Sequence, residues 1–241
     1  MCRDVHLGED VCRNLRRNHL YTGFRPPGMR TYVSTIGYYD TRVVRPVLDH
    51  GVNAGDVVVL LRPYNDDEDG DSAVADVKQI FSELGPNVEV VVEQITYDDF
   101  PTAVTECAEV LDAAKGETVA NFGGGPREIF LAFTIAALVT KGQLDTVLQF
   151  TDIDEEVQEL HLPELMSSPT SKTDQTLRTI ARLDGETTLP EIAERSGQSR
   201  STIGRHLDEL ETADAVETDK RGKTRHVNMT LGGRLQLFRR R

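Results

Sequence analysis

The chain contains no tryptophan, and aromatic residues make up only 6% of its 241 positions. Its packing must therefore rest on aliphatic side chains, and this length has room for one large or two modest cores. Cysteine is almost as scarce. Cys2, Cys12 and Cys107 form neither a CxxC pair nor an even set, which excludes a disulfide framework and argues against a metal site. No apolar run approaches the ~18 residues that a membrane helix needs. The longest apolar helix candidate, 129–139, has the length of a buried core helix. The amino terminus lacks a secretory apolar region, so the cytoplasm is the expected compartment, away from any membrane. Lysine numbers 6 against 21 arginines, while aspartate and glutamate together number 40. An acidic, lysine-poor surface stays hydrated in concentrated salt and predicts a halophilic source.

The net charge of −13 is unevenly distributed. Residues 170–241 carry 14 basic and 11 acidic side chains, whereas residues 1–169 carry 13 basic and 29 acidic ones. Duplex DNA presents about one negative charge per 1.7 Å of axis and repels an acidic body. A basic module on such a body is the arrangement that can still meet phosphate, because local charge decides contact.

Residues 1–30 hold six arginines, no apolar periodicity and the breaker Pro26-Pro27-Gly28. Whether it is a basic DNA-binding arm or an over-extended start ahead of Met29, this segment is expected to be disordered. Thereafter strand-like and helix-like stretches alternate. Strands are expected at 31–36, 56–61, 88–92, 118–122, 147–150 and 157–162. Helices are expected at 40–49, 72–84, 100–114 and 127–141, with an acidic loop over 63–71. The stretch 56–61 is almost continuously apolar, as in a strand covered on both faces. Such alternation predicts an α/β fold: a Rossmann-like, doubly wound, mainly parallel sheet with right-handed crossovers over 31–162. A linker over 163–170, with two prolines, separates it from a second module over 171–241.

In a doubly wound sheet, ligands sit beyond the carboxyl ends of the strands. Two such ends draw attention. After the first strand come Ser34, Thr35, Ile36, Gly37, Tyr38, Tyr39 and Asp40, rich in hydroxyls and phenols. After the fourth come Asn121, Phe122, Gly123, Gly124, Gly125, Pro126 and Arg127. Glycines let a backbone adopt positive φ and approach a ligand closely, and Pro126 suits the opening of a helix. The free amides there, beside Arg127, could hold a phosphate or an adenine edge, although a triple glycine is equally a tight turn. No GxGxxG follows the first strand and no Walker A motif is present, so the dinucleotide and nucleoside-triphosphate fingerprints are missing.

The second module reads as a winged helix-turn-helix. Its first helix spans 174–183. Thr188, Pro190 and Glu191 open the next with a capping box, and it stops at Gly197. Ser199 or Ser201 caps a third helix whose Ile203, Leu207 and Leu210 point inward. Its opposite face offers Ser199, Arg200, Ser201, Thr202, Arg205 and His206 to base edges. A hairpin of 216–218 and 225–229 follows, and its tip carries Lys220, Arg221 and Lys223, with Arg225 beside it, suited to phosphates. A last helix is expected over 231–238.

The turn Gly37–Asp40, the segment Asn121–Arg127 and the carboxyl-terminal winged helix together resemble the CRISPR-associated Rossmann-fold (CARF) transcriptional regulators of archaea. Asn121, Gly124, Gly125 and Arg127 match the family's fourth-strand motif position by position. Gly123 and Pro126 stand where that motif has hydroxyl residues. The resemblance covers about 31–241. It implies a homodimer that binds a cyclic oligoadenylate, commonly cyclic tetra-adenylate, across its two-fold axis. It further implies a pocket formed by Ser34, Gly37, Tyr38, Asn121, Gly123, Gly124, Gly125 and Arg127. The expected function is thus a non-enzymatic, ligand-gated regulator of transcription on double-stranded DNA. No cofactor, catalytic residue or metal ligand is expected. Two alternatives remain: a ring nuclease that cleaves the bound oligoadenylate, and a winged-helix repressor sensing another small metabolite.

Overall fold

The computed structural model describes residues 28–64, 68–84, 87–166 and 170–238. The expectation for 1–30 therefore falls, up to residue 27, outside the described residues, as do Cys2 and Cys12. The order of the larger sheet is β3-β2-β1-β4-β5-β6. Its strands are β1 (Arg30–Thr35), β2 (Val57–Pro63), β3 (Glu89–Ile95), β4 (Glu117–Phe122), β5 (Thr146–Phe150) and β6 (Val157–Glu159). The first five are parallel, and the short β6 runs antiparallel along β5.

Strand alternation divides the core into two layers. Tyr32, Val58, Leu60 and Val119 face α1 (Thr41–His50) and α2 (Glu68–Glu83). Val33, Val59, Leu61 and Ala120 face α3 (Phe100–Ala113) and α4 (Arg127–Val139). Both sides of β2 are buried over its whole length, which is why 56–61 reads as continuously apolar. Cys107 lies in the second layer, where burial pushes its thiol up to about 12. It packs as a small apolar group.

Several boundaries depart from the sequence reading, among them the strand expected over 157–162, which is Val157–Glu159, and the helix expected over 174–183, which is Ser171–Ala181. The acidic stretch 63–71 is not all loop, because α2 begins at Glu68. Glu68, Asp69 and Asp71 occupy its first turn, where the helix dipole favours acidic side chains. At the other end, α4 stops at Val139 and a 3₁₀ turn takes over at Lys141–Gln143.

Beyond the linker the chain builds α5 (Ser171–Ala181), β7 (Glu186–Thr188), α6 (Leu189–Ser196), α7 (Arg200–Thr212), β8 (Val216–Arg221), β9 (Thr224–Met229) and α8 (Leu231–Phe238). Strand β7, too short to carry a periodic signal, joins the hairpin in a sheet of order β7-β9-β8. Leu177, Ile180, Ile192, Ile203, Leu207 and Val227 fill the core between helices and wing. Asp214, just past α7, links the two sheets' surroundings. It takes the left-handed conformation (φ 52°). Its carboxylate forms an ion pair with Lys141 and accepts the Glu164 amide at 3.3 Å.

Candidate ligand crevice and nucleic-acid interface

The strand order reverses between β1 and β4, and a crevice opens at the carboxyl ends of the strands there. That crevice holds about 230 Å³ and is lined by Ile36, Gly37, Tyr38, Tyr39, Arg42, Arg62, Pro63, Gly70, Gly125 and Pro126. The two loops press on one another. A Cβ on Gly37 would lie 2.9 Å from the Gly125 Cα, and one on Gly125 would lie 2.8 Å from the Ile36 carbonyl oxygen. Gly124 and Gly125 also have φ of 123° and 102°, values that favour glycine. The triple glycine thus serves the contact between loops as well as the surface it exposes.

Residues expected to form the pocket divide into three groups. Gly37, Tyr38 and Gly125 line it. Ser34, Asn121 and Gly123, expected as ligand contacts, are buried and are not among the residues that line it. Asn121 is fully buried and its side-chain nitrogen donates to Ser34 Oγ at 2.8 Å and to the Arg42 carbonyl at 3.1 Å. Gly123 leaves the space for that junction, since a Cβ there would sit 2.6 Å from the Arg42 oxygen. This packing explains the glycine where the family motif has a hydroxyl residue. Gly124 and Arg127 flank the crevice without lining it. Arg127 is exposed at the first position of α4, and a Cβ on Gly124 would meet the Arg42 side chain at 3.0 Å.

The residues missed in the sequence are the two arginines. Arg42 lies over the Tyr39 ring, 5.2 Å from its centroid, and forms an ion pair with Asp152 at 3.0 Å. Arg62 is nearly buried and forms an ion pair with Asp71 of α2. Each leaves a trace in the sequence. Arg42 is a cation in the first turn of a helix, where the dipole disfavours it. Arg62 is a charge inside an apolar strand, at the carboxyl end where ligands bind.

In the winged helix, local signals set the geometry. Thr188 and Glu191 form the capping box of α6, with the Thr188 amide donating to the Glu191 carboxylate at 2.9 Å. Hydrogen bonds from Thr187 and Thr188 hold that carboxyl below its usual pKa. Gly197 turns the chain with φ 70°, and Ser199 caps α7 by accepting from the Thr202 amide at 3.1 Å. Arg200, Ser201 and Arg205 stand exposed on the early turns of α7, with Thr202 half-buried beside them. His206 departs from the expected DNA face. It is 5% exposed, and its Nδ1 pairs with Thr176 Oγ1 at 2.8 Å. Residues 203, 206, 207 and 210 share one helical face, so His206 belongs with the core. Arg225 also turns inward, forming ion pairs with Asp208 at 2.6 Å and Glu211 at 2.9 Å. At the wing tip Lys220 and Lys223 are exposed, and Arg221 lies 2.9 Å from Asp219.

Among the described residues no group of His, Cys, Asp and Glu could hold a metal ion, and no helix is long and apolar enough to cross a membrane. No curated protein matches the chain. Among solved structures it is similar to BpsR of Bordetella bronchiseptica, at 15% identity over 29% of this chain and 55% of that one, with a TM-score of 0.27. Reduced HlyU of Vibrio cholerae is similar at 24% identity over 29% of this chain and 87% of that one, TM-score 0.21. Csm6 of Enterococcus italicus bound to cyclic hexa-2'-fluoro-hexa-dAMP is similar at 12% identity over 78% and 56%, TM-score 0.43. The chain spans little more than half the length of BpsR and of Csm6. Residues 30–159 match the Csa3 CRISPR-associated Rossmann-like domain, and residues 172–220 match the IclR helix-turn-helix domain. The Csa3 match covers more than half of the sequence, so the chain belongs to the Csa3 CRISPR-associated Rossmann-like family, here joined to an IclR-type helix-turn-helix.

Proposed function

We propose that this CRISPR-associated transcription regulator is gated by a cyclic oligoadenylate that occupies the crevice between the β1–α1 and β4–α4 loops. The crevice itself carries the reading: aromatic faces and guanidinium groups meet over a glycine backbone at the switch point of the sheet. Tyr38 and Tyr39 offer surfaces on which a base can stack, and Arg42 and Arg62 offer cations to phosphodiesters. One chain's crevice, at about 230 Å³, is smaller than the roughly 300–1,000 Å³ of small-molecule pockets. A nucleotide ring therefore calls for two copies facing each other across a two-fold axis, each giving half of the site. On that reading the protein is a cytoplasmic homodimer, and its winged helices place Arg200, Ser201, Thr202 and Arg205 in two successive major grooves of double-stranded DNA.

The test is a thermal-shift series with cyclic oligoadenylates of several ring sizes, beside NADH and cyclic dinucleotides. A ring present at 100 times its Kd is expected to stabilise the protein by about 2.7 kcal/mol. It is also expected to shift DNA affinity in a paired binding measurement. Labelled ring recovered after incubation is expected to remain cyclic, as an effector and not a substrate. Indifference to every ring would overturn the ligand assignment, and linear products would replace the sensor with a nuclease.

A further inference from the structure

Both arginines of the crevice are already matched to carboxylates, and in the same manner. Arg62 meets Asp71 from the first turn of α2, and Arg42 meets Asp152 from the turn after β5. The arginine side chains are 9% and 33% exposed, while their acidic partners are 69% and 65% exposed. Exposure is therefore lopsided in each pair. The cation belongs to the crevice and the anion belongs to the solvent.

We propose that Arg62 and Arg42 form a phosphodiester clamp that Asp71 and Asp152 occupy in the ligand-free chain, so that a ligand binds by exchanging its phosphates for the two carboxylates. This rests on the reading of the crevice as the ligand site. The asymmetry makes the exchange favourable in one direction for each partner. An exposed carboxylate loses little on release, because water restores its hydration and exposed pairs contribute little. A shielded guanidinium stays charged at any physiological pH and needs an anion beside it. A phosphodiester supplies that anion with oxygens suited to the guanidinium fork. Arg42 keeps its place without Asp152, since its guanidinium rests on the Tyr39 ring and its stem crosses Gly124. The carboxylates thus act as internal competitors. A lone small anion gains little by displacing one of them, whereas a ligand carrying several phosphates displaces both at once.

An opposing account makes the aspartates positioning residues that hold the arginines ready, in which case their removal weakens binding. Calorimetry on the full chain separates the two accounts. The probes are cyclic tetra-adenylate and tripolyphosphate, and the variants are Asp71→Asn, Asp152→Asn, the double variant, Arg62→Gln and Arg62→Lys. Melting temperatures recorded in parallel identify any variant that fails to fold. Each asparagine variant is expected to bind about fivefold tighter, the scale of one exposed ion pair, and the double variant tighter still. Arg62→Gln is expected to bind about tenfold or more weakly, and Arg62→Lys to fall between, having the charge without the fork. Folded asparagine variants that bind no tighter than the natural chain would overturn the clamp. If cyclic tetra-adenylate binds nothing while tripolyphosphate binds the asparagine variants more tightly, the cyclic-oligoadenylate reading falls and the clamp stands. Failure of both probes on every folded variant overturns the clamp as well.

Discussion

The crevice and α7 both carry arginines, but they keep them in different states. In the crevice, Arg62 is nearly buried and Arg42 partly covered, and they face Asp71 and Asp152. On α7, Arg200 and Arg205 are exposed and form no ion pair among the described residues. The ligands proposed for them account for the difference. DNA is a polyelectrolyte, and binding to it gains from counterions released along the whole contact, which needs free charges at the surface. A small effector must instead be distinguished from the many anions that surround any protein. Shielded arginines with their own counter-charges make that distinction, since only a ligand of the right shape and charge replaces them. The wing lies between these extremes: Lys220 and Lys223 form no ion pair among the described residues, Arg221 pairs with Asp219 in solvent, and Arg225 is committed to Asp208 and Glu211.

The largest break in this comparison is expected at Gly125. Gly125→Val puts a branched side chain at φ 102°, with its Cβ 2.8 Å from the Ile36 carbonyl, and backbone cannot give way there as a side chain can. Strain of this kind costs about 1–3 kcal/mol before any clash is counted. The variant is expected to lose binding of cyclic tetra-adenylate and to lower the first melting transition, while DNA affinity without ligand stays unchanged. Gly124→Ala keeps the strain of a positive φ (123°), but its Cβ meets the flexible side chain of Arg42, so it tests strain without a backbone clash. Equal damage from the two substitutions would refute the packing account of the loop.

This contrast also shows what the sequence made legible. The winged helix could be read almost residue by residue, because caps and turns are local: Thr188, Glu191, Gly197 and Ser199 act within three positions of where they stand. His206 escaped because its donor character suggested DNA, while its helical phase with Ile203 and Leu210 pointed to the core. In the larger sheet, the doubly wound, mainly parallel class was visible in the alternation of strand-like and helix-like stretches, and the glycine turn in its own run of three glycines. The clamp was not, since Arg62 and Asp71 lie on separate elements and Asp152 is over a hundred residues from Arg42. Nor does linear spacing announce that Ser34 and Asn121, on separate strands, meet in a buried hydrogen bond.

Next in size come the exposed arginines of α7. Arg200→Ala and Arg205→Ala are each expected to cost about 1–3 kcal/mol on the preferred DNA site and to relax base preference at one position. Lys220→Ala with Lys223→Ala is expected to weaken all sequences alike and to flatten the salt dependence by about two charges. Arg225→Ala is expected to leave the salt slope nearly intact and to lower stability instead. A salt titration of all three in one assay orders them, and a slope change for Arg225 equal to that of the lysines would remove the distinction drawn within the wing.

A smaller effect is expected where the two regions meet. Helix α4 opens beside the crevice and, some 13 residues later, delivers the 3₁₀ turn with Lys141 to Asp214 at the end of α7. At 1.5 Å per residue the helix spans about 20 Å, a stiff strut between loop and reader. Lys141→Ala is expected to leave ligand and DNA affinities, each measured alone, within about twofold. It is expected to reduce their coupling, which in such systems is about 1–3 kcal/mol. Ligand-dependent DNA shifts that persist at full size in the variant would place the coupling elsewhere.

The smallest effect is expected from the cap of α6, which no phosphate needs to touch. Thr188→Ala removes the side chain that caps the helix and should cost about 1 kcal/mol of stability in the winged helix. Its partner adds a pH signature. The Glu191 carboxyl is held below its usual pKa chiefly by Thr187, then by Thr188. A depressed carboxyl stabilises the fold above its unfolded pKa, and that contribution fades as pH falls through the lower, folded value. Glu191→Gln is therefore expected to destabilise near neutral pH and to converge on the natural chain in acid. Thermal melts from pH 7 down to pH 3 test this directly. Because α6 lies against the recognition helix, the same melts read the rigidity of the DNA-facing surface, and the crevice should show no response. A gap between the two proteins that stays constant with pH would mean that the carboxylate is not the group holding the cap.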